Sequence, residues 1–145
     1  MFNPSRDQAR AFFFEVRRKA LEGAVLTPLE ALALGIVERH PEYHAVLDAP
    51  ERYGDRDWLP EMGDTNPFLH LGLHLSVAEQ LSIDQPPGIV NAWRQLQART
   101  QDPHAAEHRI IDCLAEAVWQ SQRQGRPPDG AAYLACVRAG LPVST

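Results

Sequence analysis

With 145 residues, 44% of them apolar and 23% charged, the chain has the size and balance of one ordinary globular domain, which excludes a disordered or membrane-embedded polypeptide. A net charge of -5 leaves no surplus of Lys and Arg to neutralise phosphates, so no nucleic-acid partner is expected. The apolar stretches are short and broken by charges, and the opening MFNPSR lacks the basic-then-apolar layout of a secretory signal; the expected setting is the cytoplasm, with no membrane segment.

In chain order, Ser5 followed by Gln8 forms a capping box that starts a first helix, with Ala9, Phe12, Phe13, Val16 and Ala20 as its apolar face and Gly23 as its stop. Arg6, Arg10, Arg17, Arg18 and Lys19 spread around this helix at 100° per residue and read as a solvated surface. Thr27, Pro28 and Glu30 open a second helix that runs to about His40, because Pro41 disfavours helical geometry in the residue before it. Pro41 can begin a short further helix through Leu47. Residues 48–65 show no periodicity and are interrupted by Pro50, Gly54, Pro60 and Gly63, which predicts one long loop, either a lid or an excursion pinned by Tyr53 and Trp58.

Asn66 and Pro67 cap a third major helix reaching about Ser82. The Gln85-Pro86-Pro87-Gly88 break precedes a fourth through Arg99, Asp102-Pro103 caps a fifth that ends before Gly125, and Asp129 to Ala139 forms a short last one. No strand alternation or repeat competes. The expected fold is therefore all-α: a single domain over residues 1–145, a helical bundle of about five to six helices with the long loop at 48–65. Cys113 and Cys136 lack a C-x-x-C arrangement, which argues against a disulfide framework or a zinc ribbon, and read as small buried apolar residues.

All six histidines fall in pairs four residues apart: His40 and His44, His70 and His74, His104 and His108. Random placement would give on the order of 0.2 such pairs. Residues four apart on a helix stand one above the other, so two imidazoles can reach a common point, an arrangement metalloproteins use often. A helical wheel of residues 66–82 puts His70 and His74 in the sector of Val77 and Leu81, facing inward, with Ser76, Glu79 and Gln80 on the polar side. On residues 103–124 it puts Glu107 between Leu114 and Val118, with His104 and His108 along the edge of the apolar sector and Asp112, Glu116, Gln120 and Arg123 outside.

A site from His70, His74 and Glu107, completed by His104 or His108 and by His40 or His44, would offer nitrogen and oxygen donors. Such a set suits a divalent zinc, iron, nickel or manganese ion better than copper(I) or an iron–sulfur cluster. The bland alternative is that the histidines bond to backbone carbonyls and fix helix register in a protein–protein interaction module, with a partner surface around Tyr53, Trp58, Trp93 and the PPG turn. No H-E-x-x-H, E-x-x-H, G-x-S-x-G or glycine-rich phosphate loop is present.

The segments MFNPSRDQAR, LTPLEALALGIVERHPEYH, TNPFLHLGLHLSVAEQLSIDQPPGI and HAAEHRIIDCLAEAVWQSQR resemble, over nearly the whole chain, the bacterial family known as domain of unknown function 1841. The resemblance implies a small bacterial protein and brings no catalytic residues with it.

Overall fold

A computed structural model of the chain describes residues 6–54 and 66–139, and every regular element among them is helical. The order is α1 (Arg6–Glu22), α2 (Pro28–Glu38), a 3-10 turn (Pro41–Tyr43), α3 (His44–Leu47), α4 (Pro50–Tyr53), α5 (Pro67–Ile83), α6 (Ile89–Thr100), α7 (Pro103–Gln124) and α8 (Gly130–Ala139). None of these helices is long and apolar enough to cross a membrane. The described residues form two compact units whose boundary falls between Leu75 and Ser76, inside α5.

The helix ends sit where local chemistry puts them. The Thr27 hydroxyl accepts from the Glu30 N–H at 3.2 Å while the Glu30 carboxylate accepts from the Thr27 N–H at 2.9 Å, a complete capping box. Asn66 Oδ1 accepts from the N–H groups of Phe68 and Leu69, and Asp102 Oδ1 from that of His104. Gly23 and Gly125 follow α1 and α7 in the left-handed region, where a side chain would be strained. Ser5, the expected first cap, lies outside the described residues.

Eight α-helices among the described residues exceed the five to six expected, because short ones escape periodicity. Pro50 begins the four-residue α4 inside the segment expected to be a loop, just as Pro41 begins the 3-10 turn that leads into α3. Four residues are barely one turn, too few for a 3.6-residue repeat to show. The remainder of the expected loop, with Trp58, lies outside the described residues.

In the first unit Phe13, Val16, Ala33, Ile36, Val37, Leu47, Phe68, Leu71 and Leu75 are buried. Arg10 joins them at only 3% exposure, which corrects its reading as a solvated residue. Its guanidinium lies over the Phe68 ring and donates to the Gly54 carbonyl at 2.9 Å and, more weakly, to that of Tyr53 at 3.5 Å. Arg17, seven residues on and on the same side of α1, bonds Asp48 at 2.7 Å, and Lys19 bonds Glu30 at 2.8 Å. Arg10, Arg17 and Lys19 therefore tie α1 to later segments, and Arg18 pairs within its own helix, with Glu15 and Glu22.

In the second unit the largest correction concerns the cysteines. Cys113 on α7 and Cys136 on α8 are joined by a disulfide, with Cα atoms 5.7 Å apart. Their separation of 23 residues carries no local signal, since the bond exists only because α8 folds back on α7. Beside it Arg109 donates to the Cys136 carbonyl at 2.7 Å. Gln80, expected on a polar face, is 5% exposed and accepts the Tyr133 hydroxyl at 2.6 Å. Burial holds that phenol protonated far above its ordinary range, as its donor role requires.

Two outcomes test this account. Replacing both cysteines by serine frees a loop of this length in the unfolded chain and is expected to lower stability by about 3 kcal/mol, read by urea denaturation. Arg10→Met keeps the aliphatic stem but strips the Gly54 carbonyl of its charged donor, and the same measurement should show a loss of about 1.5–3 kcal/mol.

Candidate metal centre

Pro41 shapes the first part of the site. α2 ends at Glu38, two residues short of the expected His40, and His40 takes the extended-side conformation φ -126°, ψ 63° ahead of the proline. Its ring folds back so that Nδ1 stands 2.8 Å from the Ile36 carbonyl oxygen. A carbonyl can only accept, so Nδ1 carries the proton. Nε2 is then the nitrogen whose lone pair is left for another cation or donor. His44, displaced from His40 by the turn at Pro41, uses its own ring differently: Nε2 lies 2.9 Å from the Val37 carbonyl and donates to it. Both rings thus satisfy carbonyls at the C-terminal end of α2.

The second part comes from one face of α5. His70 and His74 are one helical turn apart, and their Nε2 atoms lie 3.1 Å from each other. Two imidazole lone pairs at this distance repel, so the contact needs one positive centre between them, either a proton on one ring or a metal ion shared by both.

His40, His70 and His74 come together as a single group whose donor nitrogens all lie within 4.8 Å of one another. The His40 ring centroid is 4.6 Å from that of His74 and 5.1 Å from that of His70. His40 and His74 are buried, at 4% and 1% exposure, whereas His70 is half-buried. Tyr43 stacks parallel on His40 at 5.7 Å and meets His70 edge-on at 6.0 Å. Burial, followed by the nearby Glu42 carboxylate, raises the pKa of Tyr43, so it is a neutral phenol wall of the site.

Metal–imidazole bonds of about 2.0–2.1 Å place neighbouring nitrogens roughly 3.4 Å apart in a tetrahedron and roughly 3.0 Å apart at adjacent octahedral positions. The His70–His74 separation falls between these values. The triad therefore has the donor chemistry and the pair spacing to hold a small divalent ion.

Its members were all among the sequence candidates. His44 is engaged on Val37. His104, Glu107 and His108 belong to α7 in the second unit. There the two histidine rings sit 4.2 Å apart, His104 is exposed, and Glu107 and His108 are half-buried beside the buried row Ala106, Ile110, Cys113 and Leu114. Glu79, read as a surface residue, is half-buried. Tyr43 was missed. Its signal was the His-Pro-Glu-Tyr-His run itself, which places an aromatic residue between two histidines in a proline-started turn.

Of the residues expected to form a partner surface, Trp58 lies outside the described residues and Pro87 of the PPG turn is exposed. Tyr53 and Trp93 are half-buried, with the Trp93 indole nitrogen enclosed. The large exposed apolar side chains are instead Leu21, Val25, Leu32 and Leu69 in the first unit and Ile83 and Trp119 in the second.

Fold and site together define an all-helical protein with a three-histidine cluster built from α5 and the residue between α2 and the 3-10 turn. The chain belongs to the family described as Domain of unknown function (DUF1841), whose model matches residues 5–139. No curated protein and no solved structure matches it.

The two members of the first pair should differ in tautomer. In long-range proton–nitrogen spectra of metal-free protein with neutral histidines, His40 is expected in the Nδ1–H form and His44 in the Nε2–H form. Finding both in the same form would contradict the geometry.

Proposed function

We propose that this is a helical metal-binding protein in which His40, His70 and His74 hold one divalent transition-metal ion. The observation that carries the reading is the 3.1 Å approach of the His70 and His74 Nε2 atoms beside a third imidazole whose Nδ1 is already committed to a backbone carbonyl. Such a carbonyl partner fixes ring orientation and leaves Nε2 basic, a recurrent arrangement around metal-bound histidines. An all-imidazole donor set favours zinc, iron or nickel over manganese, which prefers oxygen ligands. The facing Nε2 atoms of His70 and His74 can share one ring's proton or a cation, and with His40 beside them the group offers three nitrogens to such an ion.

Metal-free protein titrated with zinc should take up one ion per chain, measured by elemental analysis after gel filtration. Zinc at 100 times its dissociation constant should add about 2.7 kcal/mol of stability, visible as a raised Tm. His70→Ala, at a half-buried position that the fold tolerates more easily, should weaken binding by at least about tenfold to a hundredfold, the loss that follows removal of even an outer partner of a ligand. The double variant His104→Ala with His108→Ala should still take up one ion. Unchanged affinity in His70→Ala would overturn the assignment.

A further inference from the structure

We infer that the cystine between α7 and α8 is a thiol-exchange site, at which a small cationic thiol forms a reversible mixed disulfide with Cys136. The site lies in the second unit and does not depend on the metal reading. Its two sulfur-bearing residues are unequally covered: Cys113 is 1% exposed, whereas Cys136 is half-buried. Both line one groove between the two helices, of about 100 Å³, which reaches the bond and has room for a molecule of only a few heavy atoms.

Exchange needs an attacking thiolate in line with the S–S bond and a leaving sulfur whose charge is tolerated. Approach from solvent meets Cys136 first. The electron pair of the incoming sulfur forms a new bond to Cys136 Sγ, the Cys113–Cys136 bond breaks, and its pair departs on Cys113 Sγ, which takes up the proton that the small thiol gave to solvent. Arg109 stands one turn before Cys113 on the same face of α7 and donates to the Cys136 carbonyl at 2.7 Å, so a guanidinium is fixed beside the departing charge. Its Nε is enclosed with no hydrogen-bond partner among the described residues, a donor that a thiolate can use. The helix α8 keeps other fastenings while the bond is open: the Tyr133 hydroxyl donates to Gln80 at 2.6 Å, and Leu134 and Val137 are buried. The step is therefore local, and attack of the Cys113 thiolate on Cys136 Sγ reverses it by expelling the small thiolate.

Charge selects the thiol. Among the described residues lining the groove, the charged ones are Glu116 and Asp129, both acidic. Glu116 accepts from the Gln120 amide at 3.1 Å and Asp129 from the N–H groups of Ala131 and Ala132, which fixes both carboxylates in place. An ammonium group carried by the thiol meets them favourably, and an anionic group is repelled.

The test uses the full-length oxidised protein and compares cysteamine, 2-mercaptoethanol and 2-mercaptoethanesulfonate at equal thiolate concentration. Intact-mass spectrometry follows the addition of one small thiol per chain, and peptide mapping locates it. Cysteamine should add to Cys136 about tenfold faster than the sulfonate, with the neutral thiol between them, and Glu116→Gln should cut that ratio to about threefold. The rate should rise linearly with thiol and stay unchanged in sub-denaturing urea. Addition to Cys113, a rate indifferent to the charge of the thiol, or exchange that appears only as urea unfolds the chain would each overturn the inference, as would a protein whose two cysteines stay free after air oxidation.

Discussion

A buried imidazole cannot face a carbonyl oxygen without committing a proton to it, and the candidate site depends on that constraint at His40. Pro41 disfavours helical geometry in the residue before it, so α2 gives out and His40 leaves the helix in a non-helical conformation. Its ring then returns to the Ile36 carbonyl, which also accepts the Arg39 N–H at 3.1 Å. With Nδ1 spent, only Nε2 is left to answer His70 and His74. One proline thus sets a helix end, a side-chain direction and a tautomer.

The same four-residue spacing has three outcomes in this chain, and the differences are physical. His70 and His74 share an uninterrupted helix, so their nitrogens meet. The turn at Pro41 divides His40 from His44; the two rings bond different carbonyls, and only His40 joins the α5 pair. His104 and His108 meet at 4.2 Å within the first turns of α7, where His104 stands in solvent and His108 is half-buried. Spacing proposes a pair; burial and a neighbouring element decide what it becomes.

Away from the site the stabilising interactions are long in sequence and specific. The cystine between α7 and α8, the Arg109 bond to the Cys136 carbonyl and the Tyr133–Gln80 hydrogen bond fasten the second unit, while Arg10 and Arg17 fasten α1 to the segment around residues 48–54 in the first. A cystine persists where thiols are kept oxidised.

Most helix boundaries were legible in the sequence because they are set by residues within four positions of each other: the Thr27–Glu30 box, Asn66, Asp102, Gly23 and Gly125 all act locally. The histidine triad was partly legible for the same reason, since His70 and His74 lie one turn apart on a helix that the caps delimit. What failed was every inference that needed to know the neighbour. A wheel divides α5 into an inner and an outer face, yet Gln80 is buried, where it accepts the Tyr133 hydroxyl, and Glu79 is half-buried. Arg10 looked like surface until the backbone of Tyr53 and Gly54 came to meet it, and Cys113 looked solitary until α8 folded back. The sequence by itself determined where the helices begin and end and which imidazoles could share a helix face. Only the tertiary structure decided that His40 joins the pair on α5, because that third imidazole comes from another element, whose placement is fixed by packing that local chemistry does not encode.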